Sequence, residues 1–161
     1  MIKLFIAAAM TIVLSGTTAI AAPNGTFRQA HEYGYGDKSS LDPASRGRVM
    51  QITEKLMSRL IRPDMKGSPS PDLATSWSSN DEATVWTLNL REGVKFHDGS
   101  GFDSGDVIYT FSRVLDPENK SPARSAIKMI EKMEAPDDMT VKFTLSTPFA
   151  DMPLQLMDYR L

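Results

Sequence analysis

Cysteine is the first thing this sequence lacks: none of its 161 residues is a cysteine. The absence excludes disulfide bonds, cysteine-ligated metal sites, a cysteine nucleophile and a lipid-modified N-terminal cysteine. An excess of positive charge is lacking too. The formal net charge is −2 and no basic patch stands out, so nothing points to a nucleic-acid partner. The length fits about one domain, and the apolar and charged fractions are those of an ordinary globular protein.

Catalytic and metal-binding motifs are also missing. The two histidines, His31 and His97, lie far apart in the sequence and lack the spacing of metal ligands. His97-Asp98 and Asp137-Asp138 fit polar turns better than an acid–base pair or a carboxylate dyad. No nucleophile–base pair or phosphate-binding loop is visible. The sequence therefore predicts no enzymatic activity, no catalytic residue, no metal site and no cofactor.

The N-terminus has the layout of a secretory signal peptide. Lys3 supplies the positive start, residues 4–14 form an apolar run broken only by Thr11, and Ala19-Ile20-Ala21 is a small-x-small cleavage site. The apolar run is too short to span about 30 Å of hydrocarbon comfortably, which disfavours a membrane anchor. We therefore predict a signal peptide over residues 1–21, a mature domain over residues 22–161 and export to the periplasm without a lipid anchor.

The segment from residue 86 to residue 99 reads as a strand followed by turns. Apolar residues at 86, 88 and 90 alternate with polar ones, which predicts a strand with one buried and one wet face. Val94–Phe96 resumes the alternation, and His97-Asp98-Gly99 predicts a turn because glycine tolerates a positive φ. Trp77, on a preceding short strand, could face Trp86 across a hairpin. Both tryptophans are predicted to lie in the core rather than in a binding site.

Helices and a second hairpin complete the pattern. Apolar spacings of three and four predict a helix over residues 49–60, ended by Pro63. Asp103 and Asp106 resemble a capping box at the start of another helix, which Asp116-Pro117 ends. Residues 130–135 and 140–145 flank a proline–acid turn as a hairpin. Further helical segments are predicted at residues 71–74, 121–128 and 148–156. Separate hairpins and helices predict an α+β fold.

Taken in order, these pieces resemble the N-terminal part of the family 5 extracellular solute-binding proteins, the peptide- and nickel-type receptors of ABC importers. Residues 71–77 resemble the family's P-x-L-A-x-S-W, and residues 86–99 resemble its strand followed by L-R-x-G-V-K-F-H-D-G. Residues 106–111 resemble D-V-x-Y-T-F. The remaining matches are Ser40-Leu41-Asp42-Pro43, Asp116-Pro117, Ser121-Pro122 and residues 135–141. Two turns depart from the family: residues 100–102 lack a proline, and Asn80–Ala83 lacks the usual glycine.

The resemblance implies the fold. Members of the family have two lobes and are several times longer than this chain. We expect this sequence to form part of the first lobe of a type II periplasmic-binding-protein fold, together with its inserted small β-rich subdomain. The second lobe is expected to be absent, so residues 22–161 would be an incomplete domain.

The resemblance also implies a ligand site. In the family, the loop after the first strand faces the cleft between the lobes, which here makes Tyr35, Gly36, Asp37 and Ser39 the candidate ligand-binding residues. Glycine allows a close backbone approach, and an exposed carboxylate such as Asp37 could pair with the ammonium group of a peptide. The alternative is an ordinary solvated turn, since charged loop residues are usually just exposed.

The implied function is the periplasmic substrate-binding component of an ABC importer. Peptides are the expected solutes, because backbone amides and termini can be held while side chains vary; nickel complexes, oligosaccharides and opines stay open. The expected partners are a small solute and an inner-membrane permease, with a monomeric full-length protein. Two alternatives remain: a non-functional fragment, since a half-cleft encloses a ligand poorly, or an exported protein-interaction domain that uses exposed strand edges.

Overall fold

The structure is a computed structural model that describes residue 42 and residues 56–158. All of these residues belong to one compact unit, which comprises residues 35–161. The predicted signal peptide, the first strand and the candidate ligand loop lie outside the described residues. The domain boundaries given above therefore stay predictions.

A four-stranded antiparallel sheet is the centre of the described fold. Its strands run in the order β3-β4-β6-β5. Their bounds are Ala74–Ser79 for β3, Val85–Leu90 for β4, Ile130–Asp137 for β5 and Thr140–Leu145 for β6. The two predicted hairpins are thus confirmed, and they join through β4 and β6 into one sheet.

The predicted alternation along β4 is confirmed. Residues 86, 88 and 90 are buried, whereas Asn89 is exposed. The facing strand β6 buries residues 141, 143 and 145 in the same way. Because side chains on a strand alternate between faces, these six residues form the apolar face of the sheet, and the other face is polar.

The register of the first hairpin corrects one prediction. Trp77 lies opposite Leu88, and Trp86 lies opposite Ser79 on one side and Phe143 on the other. The two tryptophans are therefore diagonal neighbours rather than a directly facing pair. Trp86 is buried, and Trp77 is half-buried and packs against the core, which confirms their placement in the scaffold.

Helix α1, Ser104–Leu115, covers the apolar face of the sheet. Its predicted capping box is confirmed: Asp103 Oδ1 accepts hydrogen bonds from the backbone of Gly105 and Asp106, and Asp106 Oδ2 accepts one from Asp103 N. The buried face carries Phe111, whose ring stacks on that of Phe143 with centroids 4.9 Å apart. The helix gives way at Asp116, as predicted, to a short 3₁₀ helix at Pro117–Asn119.

The predicted helix over residues 49–60 is wrong at its C-terminal end. Leu56 is helical, but residues 57–60 are not, and Ile61 begins strand β1, Ile61–Pro63. The reason lies in pairing with a distant segment: the carbonyls of Arg59 and Leu60 accept hydrogen bonds from the backbone of Leu73 and Ala74, both at 2.9 Å. These long-range bonds replace the helical ones.

The predicted helical turn at residues 71–74 is also wrong. Strand β2, Pro69–Pro71, pairs with β1, and after a bend at residues 72–73 strand β3 begins at Ala74. Proline at both ends of β2 favours this result, because its fixed φ suits an extended chain and it removes a hydrogen-bond donor from a helix.

Three smaller differences concern the ends of predicted elements. Strand β5 runs through Pro136 to Asp137, so the second hairpin turns at residues 138–139. Val94–Phe96 was predicted to continue as a strand. It makes only a single β-bridge instead, between Lys95 and Gly101. The last two helices are shorter than predicted: α2 spans Arg124–Ile127, and α3 spans Met152–Gln155.

Candidate functional site

The four predicted ligand-binding residues, Tyr35, Gly36, Asp37 and Ser39, lie outside the described residues. The nearest described residue in the sequence is Asp42. Its contacts therefore show how the chain beyond the predicted loop meets the rest of the fold.

Asp42 is held by Arg113 near the C-terminal end of α1. Arg113 Nη1 donates a hydrogen bond of 3.1 Å to Asp42 Oδ1, and Arg113 Nη2 donates one to Asp42 Oδ2. The two planar groups thus meet as a fork, which is the strongest and most directional arrangement of an ion pair. The side chains are 40% and 26% exposed, so the pair is shielded only in part. The hydrogen bonds to Asp42 raise the pKa of Arg113 above its usual range.

Arg113 itself is placed by a rigid part of the fold. The next residue, Val114, is fully buried, and Phe111 is nearly so. The backbone carbonyl of Arg113 accepts a hydrogen bond of 3.0 Å from Asn119 Nδ2 in the 3₁₀ helix. The backbone that carries the Arg113 guanidinium is therefore held in place. The sequence did not single out Arg113, because its partner lies 71 residues away and no spacing rule links them.

An apolar groove lies beside α1. It has a volume of about 450 Å³, and its described lining includes apolar side chains from the segment around Leu56, the bridge region and α1. Phe96 and Phe102 contact each other edge to face there, with centroids 6.2 Å apart. Phe102 is buried, whereas Phe96 is 45% exposed. The groove combines this apolar surface with five polar residues: Ser58, Lys95, His97, Asp106 and Thr110.

His97 closes one side of this groove. Its Nε2 lies 3.0 Å from the carbonyl oxygen of Leu56. A carbonyl can only accept, so this contact requires a proton on Nε2. Backbone bonds from Phe96 to Ser100 and from Gly99 to Phe96 build the turn around His97, and Gly99 has a φ of +91°. His97 is thus a turn residue, as predicted, and it fixes the end of the segment at Leu56.

A second set of contacts converges on Asp72. Its carboxylate accepts hydrogen bonds from Arg59 N at 3.0 Å and from Arg62 Nη2 at 2.9 Å, and its backbone carbonyl accepts one from Arg91 Nε. These bonds tie together β1, the bend before β3 and the end of β4. The P-x-L-A-x-S-W resemblance therefore falls on a structural junction.

Within residue 42 and residues 56–158, no group of three or more histidine, aspartate or glutamate side chains is placed to hold a metal ion. No helix in that part of the chain has the length and apolarity needed to cross a membrane.

Comparison with known families decides the relationship. The model of a family described as "Bacterial extracellular solute-binding proteins, family 5 Middle" matches residues 68–160, which is more than half of the chain. The chain belongs to this family. The resemblance stated from the motifs is therefore confirmed, and so is the α+β class. The match begins one residue before β2 and covers the whole four-stranded sheet and α1.

Relatives within the solute-binding family agree in sequence and fold. The chain is 44% identical over 78 residues to the glutathione-binding protein GsiB of Pectobacterium atrosepticum. It is 36% identical over 121 residues to the probable D,D-dipeptide-binding periplasmic protein DdpA of Escherichia coli K12. Among solved structures, it matches the PBP AgaA of A. tumefaciens R10, in complex with agropinic acid, with a TM-score of 0.69 and 37% identity.

These matches cover much of this chain and little of the relatives. The aligned regions are 48%, 71% and 78% of this chain, but 15%, 23% and 26% of GsiB, DdpA and AgaA respectively. The structure therefore represents only part of the type II periplasmic-binding-protein fold, as the motifs predicted. Matches of this extent do not by themselves assign the solutes of the full-length relatives to this chain.

Proposed function

We propose that this chain is part of the periplasmic substrate-binding component of an ABC importer, and that its solutes are peptides. Membership of the family carries the proposal, because family 5 solute-binding proteins are transport receptors rather than enzymes. In this proposal, residues 1–21 are a signal peptide that directs export. Periplasmic relatives such as DdpA support that location.

Two relatives support peptides as the solute class. GsiB is named for glutathione and DdpA for D,D-dipeptides, and both solutes contain peptide groups and charged termini. AgaA was solved with agropinic acid, which keeps opines as the competing class. In our proposal the loop at Tyr35, Gly36, Asp37 and Ser39 contacts the solute, and Asp37 pairs with its ammonium group.

The described residues have a supporting role in this function. Helix α1 covers the apolar face of the sheet, and the two together form the core. Trp86 lies in that core, where it cannot contact a solute. The junction at Asp72 holds β1 to the end of β4, and the fork at Arg113 holds Asp42, three residues beyond the predicted loop.

Thermal unfolding with defined solutes tests the proposal. The chain is exported from a Gram-negative host, purified from the periplasm and heated with glutathione, D-alanyl-D-alanine, agropinic acid or free glycine as a control. A solute at about 100 times its Kd stabilises the folded state by about 2.7 kcal/mol, which raises the Tm by several degrees. A rise with either peptide but not with glycine supports the proposal.

Three other outcomes would contradict it. A rise with agropinic acid alone would replace peptides by opines. No rise with any solute would favour the non-functional fragment or the interaction domain. Retention of the chain in the cytoplasm, with residues 1–21 uncleaved, would rule out a periplasmic receptor.

A further inference from the structure

The two outer strands of the four-stranded sheet, β3 and β5, differ in how well their edges are protected. Strand β5 carries four charged residues and a proline, and its register against β6 shifts at two places. Charges, prolines and bulges are common means of preventing an edge strand from pairing with another chain. Strand β3, with the sequence ATSWSS, has no charged residue and no proline. The edge of β3 is therefore the less protected one.

The backbone bonds of β4 show which of its residues bond towards β3. Thr84 O, just before β4, accepts from Leu145 N of β6 at 2.8 Å. Val85 O accepts from Asn80 N, on the β3 side, at 3.0 Å. Because the direction of bonding alternates along an antiparallel strand, even-numbered residues of β4 bond to β6 and odd-numbered ones bond to β3.

The same alternation assigns the backbone groups of β3. Ser76 and Ser78 lie opposite odd-numbered residues of β4, so their N–H and C=O groups bond to that strand. Those of Trp77 and Ser79 then point away from the sheet. Within residue 42 and residues 56–158, no strand pairs with β3 on this outer side, and the chain before β1 bonds only to its first residue, Ala74. The edge thus presents about four backbone groups for pairing.

We propose that β3 is a self-association site, at which the edge of one copy of the chain pairs with the same edge of a second copy. In antiparallel pairing about a two-fold axis, Trp77 of each copy lies opposite Ser79 of the other. The outward groups of the two copies then bond to each other through about four backbone hydrogen bonds. The proposal concerns how the chain associates and does not rest on its proposed function.

The side chains and charges fit this register. Ser78 would lie opposite its own counterpart at the two-fold axis, where a small uncharged side chain is tolerated. Trp77 is half-buried, and the small side chain of Ser79 opposite it leaves room for the indole. Ser76 would lie opposite Asn80. A second copy therefore meets the edge without placing like charges opposite each other.

The other edge of the sheet would end the association at a dimer. In the paired sheet, β5 is the outer strand at both ends, and its charges, proline and irregular register disfavour further pairing. An interface that uses the same surface on both copies also closes on itself. Because the paired segment is short, we expect a weak dimer with a Kd of about 100 µM.

Sedimentation equilibrium of the purified chain tests the proposal without any solute. The average mass should rise from near that of a monomer at about 10 µM towards that of a dimer at about 1 mM. Ser78→Lys and Ser78→Asp each place like charges opposite each other and should weaken the dimer about fivefold or more. An equimolar mixture of the two variants pairs opposite charges and should associate again. Ser112→Lys, exposed on α1, adds the same charge elsewhere and is the matched control.

Hydrogen exchange of single amides tests the register directly. The amides of Trp77 and Ser79 gain partners in the dimer and should exchange about threefold more slowly at about 1 mM than at about 50 µM. The amides of Ser76 and Ser78 already bond to β4 and should not change. Ser79→Pro removes an outward donor, which an edge strand tolerates, so this variant should fold and stay monomeric. It carries the same test if Ser78→Lys does not fold.

Several results would overturn the proposal. A parent chain that stays monomeric up to about 1 mM would leave the edge of β3 without a second copy. Equal weakening by Ser78→Lys and Ser112→Lys would show that the dimer responds to net charge rather than to pairing at β3. A mixture of Ser78→Lys and Ser78→Asp that associates no better than either variant alone would exclude this register. Exchange at Trp77 and Ser79 that does not depend on concentration would place the interface elsewhere.

Discussion

Ser104, the first residue of α1, bonds twice to the turn of the second hairpin. Its backbone N–H donates to the carbonyl of Asp138, and its Oγ donates to the carbonyl of Asp137, both at 2.8 Å. Ser104 is 4% exposed, whereas Asp137 and Asp138 are exposed, so the two bonds are sheltered from water on the side of the serine. The start of the helix is therefore joined to the β5–β6 turn, and two motifs that are separate in the sequence form one structural contact.

Replacing this serine should destabilise the fold. Ser104→Ala removes the buried hydroxyl that donates to the carbonyl of the exposed residue Asp137, which should lower the free energy of unfolding by about 0.5–1.5 kcal/mol. Urea denaturation monitored by far-UV circular dichroism measures the change. Ser112→Ala, on the exposed side of the same helix, is the matched control and should change stability by less than about 0.5 kcal/mol. Equal effects at both positions would contradict a special role for Ser104.

The capping box of α1 gives a second prediction. Asp103→Ala removes the carboxylate that accepts from Gly105 N and Asp106 N, so two backbone donors lose their partner. The expected loss is about 1 kcal/mol of stability. Asp103→Asn keeps an accepting oxygen and should lose much less. If the two variants melt at the same temperature, the cap does not stabilise the helix through its hydrogen bonds.

The dependence of protein stability on acidic pH gives a third prediction. Asp98 Oδ1 accepts from the hydroxyl and the backbone N–H of Ser100, at 2.6 and 2.9 Å, and these bonds lower the pKa of Asp98 below its ordinary value. A carboxylate with a lowered folded-state pKa stabilises the fold above its unfolded pKa, and this contribution is lost as the pH falls through the folded pKa. The loss should therefore occur below about pH 4.

NMR titration of the Asp98 carboxyl measures this pKa directly. Ser100→Ala removes the hydroxyl donor and should raise the pKa of Asp98 towards its ordinary value. Glu134 is the comparison, because its pKa is lowered first by the hydrogen bond from Lys132 and also by nearby positive charge. Added salt should therefore change the pKa of Glu134 more than that of Asp98. An Asp98 pKa that Ser100→Ala leaves unchanged would refute this account.

Elements with local signals were predictable from the sequence. The alternation in β4 and the cap at Asp103 are both set by residues within a few positions of each other, and the structure confirms both. The segment at residues 57–60 was mispredicted because its apolar spacing also fits a helix. Its backbone is paired instead with Leu73 and Ala74, and no local pattern reveals that pairing.

The candidate site shows the same contrast between local signals and long-range contacts. The loop at residues 35–39 was proposed from a family resemblance and stays a prediction, since it lies outside the described residues. Asp42 entered the sequence analysis only as part of a motif match, and its partner Arg113 was not singled out at all. An ion pair between residues 71 apart depends on how the helix and the chain meet in three dimensions. Sequence spacing carries no information about such a contact.

The turn between β3 and β4 gives the last prediction, at the position where the sequence departs from its family. Residues 80–83 lack the usual glycine, and Ala83 takes up a left-handed conformation with a φ of +51°. A Cβ in this region is strained by about 1–2 kcal/mol, whereas glycine tolerates it. The conformation is imposed by neighbours: Ala83 N donates to Asn80 O, and Ala83 O accepts from Phe149 N, both at 3.0 Å.

Ala83→Gly should therefore stabilise the protein. Relief of strain is offset in part by the greater freedom of glycine in the unfolded chain, so we expect a net gain of about 0.5–1 kcal/mol and a Tm several degrees higher. Gly93→Ala is the matched reverse change, because Gly93 has a φ of +72° and an added Cβ would meet nothing within 4 Å. It should lower stability by about 1 kcal/mol through backbone strain alone. A lower Tm for Ala83→Gly in differential scanning calorimetry would show that the alanine is not strained in this turn.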